Sequence, residues 1–171
     1  MQRPILTYGI ISGLIIIVVN TTSLEIGLGQ AWLGFLVMFI AFSTIYVAVK
    51  QHRDQTLGGV IAFTPALGLG LGIAAIASCV YVAIWEVYLV LTDYSFAEEY
   101  SSAIIANQEA AGASAAELAS VMAEMEEFRA LYANPLLRLP MTFLEIFPVG
   151  LLISLVSAAV LRTHGGSTRQ T

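Results

Sequence analysis

Residues 60–91 read VIAFTPALGLGLGIAAIASCVYVAIWEVYLVL, an apolar stretch in which Glu86 is the only charged residue. As an α-helix this stretch would be ~48 Å long, whereas the hydrocarbon core of a bilayer is ~30 Å thick. The first ~20 residues are enough to cross that core, and the rings of Tyr81, Trp85 and Tyr88 follow at helical spacing. Such amphipathic rings favour the headgroup zone. The stretch therefore predicts a membrane-spanning helix whose last turns project beyond the bilayer.

Three further apolar stretches, at about residues 5–22, 30–49 and 138–162, are also long enough to cross a bilayer as helices. The composition agrees, since 58% of the residues are hydrophobic and only 11% are charged, against about 25% in ordinary soluble domains. We predict an all-α polytopic membrane protein that forms a single membrane domain over residues 1–171. Its four transmembrane helices would form a four-helix bundle, with an acidic helical insert at about residues 93–134.

Basic and acidic residues are separated along the chain. The N-terminus, the loop at residues 50–59 and the C-terminal tail hold five of the seven basic residues, namely Arg3, Lys50, Arg53, Arg162 and Arg169. The segment between the third and fourth spans holds most of the acidic ones, namely Asp93, Glu98, Glu99, Glu109, Glu117, Glu124, Glu126 and Glu127. Because basic residues of short loops stay in the cytoplasm, we predict cytoplasmic N- and C-termini and an extracytoplasmic acidic segment. The chain lacks the basic surface that a nucleic-acid partner requires.

The acidic segment carries clear signals of helix boundaries. The pattern Ser-x-x-Glu of a capping box begins at Ser95 and again at Ser114. Gly112 is expected to end the first helix, and Asn134-Pro135 the second. Apolar residues follow three- and four-residue spacing in the second helix, namely Leu118, Val121, Met122, Met125, Phe128 and Tyr132. We predict an amphipathic helical hairpin that docks this apolar face on its own bundle and leaves the acidic face in water.

Several short stretches resemble one known family. They are YGIISGL at 8–14, RD at 53–54 followed by GGVIAF at 58–63, NPLL at 134–137, and GLLISL at 150–155. With these stretches the chain resembles the small bacterial membrane proteins of domain-of-unknown-function family 4199, over almost its whole length. The resemblance implies four transmembrane helices and a bacterial inner membrane. It implies no activity, because that family has no established catalytic or binding residues.

Small residues recur at four-residue spacing in three of the spans. Gly9 and Gly13 form such a pair in the first span, Gly68 and Gly72 in the third, and Gly150 and Ser154 in the fourth. In lipid, small residues let helix backbones approach closely. We predict that these six residues pack helices together, either inside the bundle of one chain or as a contact surface for a second copy or another membrane protein.

Glu86 and Glu145 are the only carboxylates within the apolar spans. An ionisable residue inside a membrane is costly and is therefore a candidate functional residue. One interpretation places both carboxylates at the outer interface, where they anchor the acidic insert, with Arg138 as a distant partner for Glu145. The other places them in a shared cavity in which they take up protons or bind a cation.

Three functions remain open. The first, which we favour, is a non-catalytic subunit or scaffold that packs with itself or with another membrane protein. The second is a transporter or channel for a small ion or solute, formed by oligomerisation, with Glu86 and Glu145 as proton or cation sites. The third is an enzyme acting on a lipid-linked substrate. No nucleophile elbow, phosphate-binding loop or zinc-protease motif occurs in the sequence, so we expect no enzyme, no catalytic residue, no cofactor and no metal site.

Overall fold

The computed structural model describes residues 2–25 and 31–163. These residues form six α-helices, namely α1 (Gln2–Glu25), α2 (Ala31–Gln51), α3 (Phe63–Leu91), α4 (Phe96–Ala110), α5 (Ala115–Ala133) and α6 (Pro135–Leu161). A short π-helical segment, His52–Thr56, follows α2 directly. No strand occurs among the described residues. The all-α prediction is therefore confirmed.

Four of the helices, α1, α2, α3 and α6, are long and apolar enough to cross a membrane. Their number and order agree with the four predicted spans, and the protein is a multi-pass membrane protein. The third span begins later than predicted, at Phe63, because Gly58 and Gly59 have φ of 66° and 91° and the chain is not yet helical there. The fourth begins earlier, at Pro135, since proline is well suited to the first position of a helix.

The chain divides into two compact units. The first unit comprises the residues up to Ala83 and those from Phe143 onward, and the second unit is Ile84–Thr142. The part of α3 in the first unit is ~31 Å long and the part of α6 is ~28 Å long, close to the ~30 Å of a hydrocarbon core. In each of these two helices, the part in the first unit is thus about long enough to cross a membrane, and the remaining turns belong to the second unit.

Large apolar side chains fill the interior of the first unit. Phe42, Ile45, Leu69, Ile73 and Ile146 are all completely buried. Several polar side chains inside this unit form hydrogen bonds within the protein, which offset the cost of burying them. The hydroxyl oxygens of Ser12 and Thr44 lie 2.6 Å apart, and the Asn20 amide donates to the Tyr81 hydroxyl at 2.6 Å.

One end of the first unit brings the loop after α2 together with the end of α6. The Arg53 guanidinium donates to the Leu161 carbonyl oxygen at 3.4 Å, and the backbone N–H of Thr163 donates to the Ile61 carbonyl oxygen at 2.9 Å. The hydroxyl of Tyr8, near the start of α1, donates to Gln51 at 2.7 Å. This end therefore holds the start of α1, the ends of α2 and α6, and the segment that leads into α3.

The boundaries of α4 and α5 follow the predicted signals with one exception. Ser114 and Glu117 form a complete capping box, and Gly112, at φ 80°, ends α4 in a Schellman motif. The capping box predicted at Ser95 is wrong, because Ser95 has helical dihedral angles and its side chain makes no capping bond. Asp93 and Tyr94, at φ 48° and 57°, turn the chain before it reaches Ser95.

Helices α4 and α5 pack against each other within the second unit. Phe128 of α5 contacts the ring of Tyr100 in α4, with 5.5 Å between centroids, and Tyr132 is buried. Leu118, Val121, Met125 and Phe128 are half-buried, whereas most other α5 residues are exposed. Met122 is the exception on the predicted apolar face, since its side chain is 54% exposed. The apolar face of α5 is thus narrower than predicted.

Candidate functional site

A paired arginine and glutamate lie at the centre of the second unit. Nε of Arg138 donates to Oε1 of Glu86 at 2.8 Å, and Nη2 donates to Oε2 at 2.6 Å. The side chains are 3% and 25% exposed, respectively. Two parallel charge-assisted bonds of this kind fix both the distance and the orientation of a guanidinium and a carboxylate. The pair therefore ties the last turns of α3 to the first turns of α6.

The backbone around Asn134 explains how Arg138 reaches this position. Asn134 ends α5 in an extended conformation, and its side-chain oxygen accepts a hydrogen bond from the N–H of Leu136 at 3.0 Å. The Arg138 N–H donates to the Asn134 carbonyl oxygen at 2.9 Å. Helix α6 therefore begins immediately after α5, and Arg138 lies in its first turns, close to Tyr132 at the end of α5.

Arg138 is further held by the residues around it. Its Nη1 donates to the carbonyl oxygen of Tyr132 at 2.8 Å. The guanidinium carbon lies 5.3 Å from the ring centroid of Tyr94 and 5.7 Å from that of Tyr132, within the range of cation–π attraction. The Trp85 indole N–H donates to the Tyr132 hydroxyl at 2.6 Å. One cation thus links α3, α5, α6 and the turn that precedes α4.

A second arginine joins α4 and α5. Arg129 donates to Glu98 at 2.6 Å and to Glu126 at 2.9 Å. The hydrogen bond to Glu98, and the nearby negative charge, hold the pKa of Arg129 above its ordinary value. Nε of Arg129 is shielded from water and has no hydrogen-bond partner among the described residues. Buried donors of this kind are rare and require an explanation.

A cavity of about 440 Å³ lies between these two arginines. Its walls include Tyr94, Glu98, Arg129, Tyr132, Pro135 and Arg138. All of these residues belong to the second unit. The cavity combines two guanidinium groups, one carboxylate and two phenol rings. Such a mixture of apolar surface and a few convergent polar groups is typical of a binding site for a small molecule.

The structure gives the two predicted carboxylates different surroundings. Glu86 is paired with Arg138, the residue that the sequence suggested as a partner for Glu145. Glu145 is exposed on α6, and no hydrogen bond or ion pair to its side chain occurs among the described residues. Leu144, which precedes it, is 61% exposed, and Leu152, about two turns further along α6, is 51% exposed. Neither carboxylate is part of the wall of the 440 Å³ cavity.

Three of the predicted packing glycines lie at contacts between α1 and α3. A Cβ atom added at Gly9 would lie 2.7 Å from Cβ of Ile76, and one at Gly13 would lie 2.7 Å from the carbonyl oxygen of Ala77. A Cβ at Gly72 would lie 2.9 Å from the side chain of Ile5. At Gly9 and Gly13 the neighbouring atoms are a Cβ and a backbone oxygen, so a side chain there would require a shift of the helices. At Gly72 the neighbouring atom is the end of the Ile5 side chain, which can move, so the constraint is weaker.

The fourth span makes a similar contact with α3. A Cβ at Gly150 would lie 2.6 Å from Cβ of Ala74, and Ser154 is buried against Gly70, with its hydroxyl bonded to the Gly150 carbonyl oxygen at 2.7 Å. Gly68 differs from the other predicted residues, because nothing lies within 4 Å of the position that its Cβ would take. Five of the six small residues therefore lie at contacts within the chain itself.

Sequence reasoning did not predict the cavity or the role of Arg129. One signal was present, since Arg129 and Arg138 are the only basic residues in the otherwise acidic segment after α3. Their partners could not be read from the pattern, because Arg138 meets Glu86 across 52 positions of sequence and Arg129 meets Glu98 across 31. Within residues 2–25 and 31–163, no group of three or more His, Cys, Asp or Glu side chains is placed to hold a metal ion.

Comparison with known proteins gives the family and no activity. No curated protein and no solved structure matches the chain. One family model matches residues 7–163, which is nearly the whole sequence, and its description is "Protein of unknown function (DUF4199)". The match agrees with the resemblance that the stretches at 8–14, 58–63 and 150–155 carry. The chain therefore belongs to the DUF4199 family.

Proposed function

We propose that this protein is a non-catalytic subunit of a membrane complex, and that the surface of α6 around Glu145 binds a transmembrane helix of a different polypeptide. The observation that carries the proposal is the exposed, unpaired carboxylate of Glu145 in an apolar helix. Glu145 lies ~24 Å along α6 from Leu161, so it is ~6 Å inside the outer boundary of a ~30 Å hydrocarbon core.

The cost of exposing this carboxylate to lipid supports a protein partner. An acidic residue costs about 3 kcal/mol at the centre of a transmembrane helix and less near the boundary, where Glu145 lies, and acidic residues within a span usually face other protein groups. Leu144 and Leu152, which flank Glu145 on α6, are more than half exposed. A partner helix that offers a basic or hydrogen-bonding side chain at this depth would cover the apolar residues and neutralise the carboxylate.

A second copy of this chain fits the surface poorly. A two-fold symmetric contact through α6 would bring Glu145 against its own equivalent, and two carboxylates repel each other unless they share a proton. The basic residues Arg129 and Arg138 are already bonded within the second unit. Arg162 follows the end of α6, more than ~24 Å from Glu145 along that helix. Lys50 and Arg53 lie at the end of α2 and just after it, at the same end of the first unit. Charge complementarity therefore favours a different polypeptide.

The small residues are not the contact surface in this proposal. Gly9, Gly13, Gly72 and Gly150 approach helices of the same chain too closely to accept another helix as well. The transport hypothesis is also less favoured, because both carboxylate oxygens of Glu86 are already bonded to a cation of the same chain, Arg138. A scaffold whose small residues pack its own helices and whose Glu145 is exposed on a membrane span fits these contacts better.

We further propose a bacterial inner membrane location, with both termini and the 50–59 loop in the cytoplasm. The distribution of basic residues supports this orientation, since Lys50, Arg53 and Arg162 lie at the end of the first unit where α2 and α6 terminate. The helices α4 and α5, with their acidic surface, would then lie outside the cytoplasm.

Photo-crosslinking in native membranes tests the proposed contact. A photoreactive amino acid at position 144 should yield one adduct with a different polypeptide, whereas the same group at Val18, an equally exposed position on α1, should react mainly with lipid. Glu145→Leu should reduce the adduct at least about fivefold, because the polar contact is lost. Glu145→Asp should retain it.

The identity of the adduct decides between the possible partners. Mass spectrometry should place the crosslink in a transmembrane helix that has a basic or amide side chain within one turn, and neutralising that residue should match the effect of Glu145→Leu. An adduct with twice the mass of this chain would contradict the choice of a different polypeptide. An adduct that persists unchanged in Glu145→Leu would contradict the role of the carboxylate.

A further inference from the structure

We propose that the 440 Å³ cavity of the second unit binds the phosphoethanolamine headgroup of a membrane lipid. The volume lies within the range of about 300–1,000 Å³ that is usual for small-molecule sites. The proposal is independent of the partner assigned to Glu145, because the cavity and that surface involve different residues.

The two arginines have hydrogen-bond donors to spare. A guanidinium carries five N–H groups, and the protein uses three of them on Arg138 and two on Arg129. Nε of Arg129 is shielded from water and is not one of the donors that a ligand can reach. The Arg129 side chain is 32% exposed, however, and each of its Nη atoms keeps one N–H group that the protein does not use. A phosphate oxygen is a strong acceptor for such groups and often binds arginine through two bonds at once. The cavity can therefore hold a phosphate between Arg129 and Arg138.

The carboxylates bonded to the two arginines disfavour a ligand that carries only negative charge. Glu86, Glu98 and Glu126 surround the two arginines, so the five groups together carry one net negative charge. A phosphate alone would add to this charge and would be repelled. A ligand that also carries an ammonium group would remain neutral overall, and its binding would not increase the charge of the site.

Glu98 supplies the place for the ammonium group. Glu98 lines the cavity and bonds to Arg129 through Oε2, and its side chain is 65% exposed. Its carboxylate has acceptor sites beyond the single bond to Arg129. The rings of Tyr94 and Tyr132 also line the cavity but already contact the Arg138 guanidinium, so Glu98 is the partner available to an ammonium group. Phosphate and ammonium groups therefore have separate, oppositely charged partners in one cavity.

The position of Arg138 along α6 favours a lipid headgroup over a free solute. Arg138 precedes Leu161 by 23 residues in the sequence of α6, whereas ~20 helical residues are enough to cross the hydrocarbon core, so Arg138 falls just outside the span. Lipid phosphates lie in the layer just outside that core. A headgroup can thus enter the cavity while its acyl chains stay in the bilayer.

Binding of short-chain lipids to the purified, detergent-solubilised full chain tests this proposal. Dihexanoyl phosphatidylethanolamine should bind saturably, and at least about tenfold more tightly than dihexanoyl phosphatidylglycerol or phosphatidylcholine, by calorimetry. Phosphatidylglycerol lacks the ammonium group, and phosphatidylcholine lacks its N–H donors. Free phosphoethanolamine and inorganic phosphate serve as soluble ligands, and tighter binding of either than of the lipid would overturn the headgroup as the source.

Two variants separate the roles of the charged groups. Arg129→Gln should weaken the phosphatidylethanolamine complex about tenfold or more, since a charge-assisted bond is lost. Glu98→Gln should remove the ammonium partner and shift the preference toward phosphatidylglycerol. Glu124→Gln, an exposed position on α5 outside the cavity wall, should bind like the wild type.

The outcomes are decisive even if Arg129→Gln fails to fold. In that case the lipid preference of Glu98→Gln carries the test, because this variant retains both arginines. An unchanged preference in Glu98→Gln would overturn the proposal. So would the absence of saturable binding of phosphatidylethanolamine to the wild type, or tighter binding of phosphatidylglycerol.

Discussion

Arg138 and Glu86 meet through two parallel hydrogen bonds, of 2.8 and 2.6 Å, although 52 positions separate them in the sequence. The Arg138 side chain is 3% exposed, and its guanidinium lies close to the rings of Tyr94 and Tyr132. A buried charge is tolerated only when its partner is in place, because a charge without a partner bears the full cost of leaving water. Replacing one member of the pair is therefore expected to destabilise the second unit.

We expect Glu86→Gln to destabilise the protein by about 3 kcal/mol, the lower end of the range for breaking a buried pair, because Glu86 keeps some contact with water. The double variant Glu86→Leu/Arg138→Met should be much less damaging than the sum of the two single changes, since no charge is left unpaired. Chemical unfolding in detergent, followed by far-ultraviolet circular dichroism, measures both. Strictly additive effects would show that the two side chains are not coupled.

The close helix contacts give a second prediction, with a matched control in the same chain. Gly13→Ala should cost about 1–3 kcal/mol, because the added methyl group would lie 2.7 Å from the backbone oxygen of Ala77. Gly68→Ala should be neutral or stabilising by up to about 1 kcal/mol, since the position is open and alanine favours the helix. Unfolding midpoints of the two variants, measured side by side in one detergent, provide the comparison. Equal midpoints would contradict the assigned contact between α1 and α3.

The spans could be predicted from the sequence because a long apolar stretch is a local property. The same holds for Gly112 and for Asn134-Pro135, whose effects on the backbone are set by one or two residues. The small residues were predicted to pack helices, but the sequence left open which helix each would meet. The contacts of Gly9 and Gly13 with Ile76 and Ala77 depend on how α1 and α3 align.

Two identical Ser-x-x-Glu patterns adopt different structures, so this pattern alone does not determine how a helix begins. Ser95 and Ser114 are both followed by Glu three positions later, yet only Ser114 forms a capping box. The difference arises from the preceding residues, since Tyr94 has a left-handed backbone that brings Ser95 into helical geometry. The Glu98 carboxylate then bonds to Arg129. The candidate cavity was missed for a different reason, because it depends on contacts between residues that are distant in the sequence.

The capping box at Ser114 should make the start of α5 sensitive to acid. Hydrogen bonds from the Ser114 side chain and backbone lower the pKa of Glu117 below its ordinary value of 4.5. Folding therefore gains from the ionised carboxylate above pH 4.5, and this gain is lost as the pH falls through the lowered pKa of the folded state. Amide hydrogen exchange over residues 114–120, corrected for the intrinsic rate, should show protection at pH 6 that fades toward pH 3.

Glu117→Gln provides the control for this prediction. Glutamine also completes a capping box but does not titrate in this range. Its protection factors at the start of α5 should stay constant from pH 6 to pH 3. A wild-type protein with the same flat profile would show that the Glu117 carboxylate does not contribute through its charge.

Selective labelling of single cysteines tests the orientation in the membrane. Ser120 lies on α5 and Gln55 in the π-helical segment, and both are exposed. In a background in which Cys79, the one native cysteine, is replaced by alanine, a membrane-impermeant maleimide should label Ser120→Cys in cells with a permeabilised outer membrane. Gln55→Cys should react only after the inner membrane is opened, because basic loops stay in the cytoplasm. The reverse labelling pattern would place α4 and α5 in the cytoplasm, which would contradict the proposed topology.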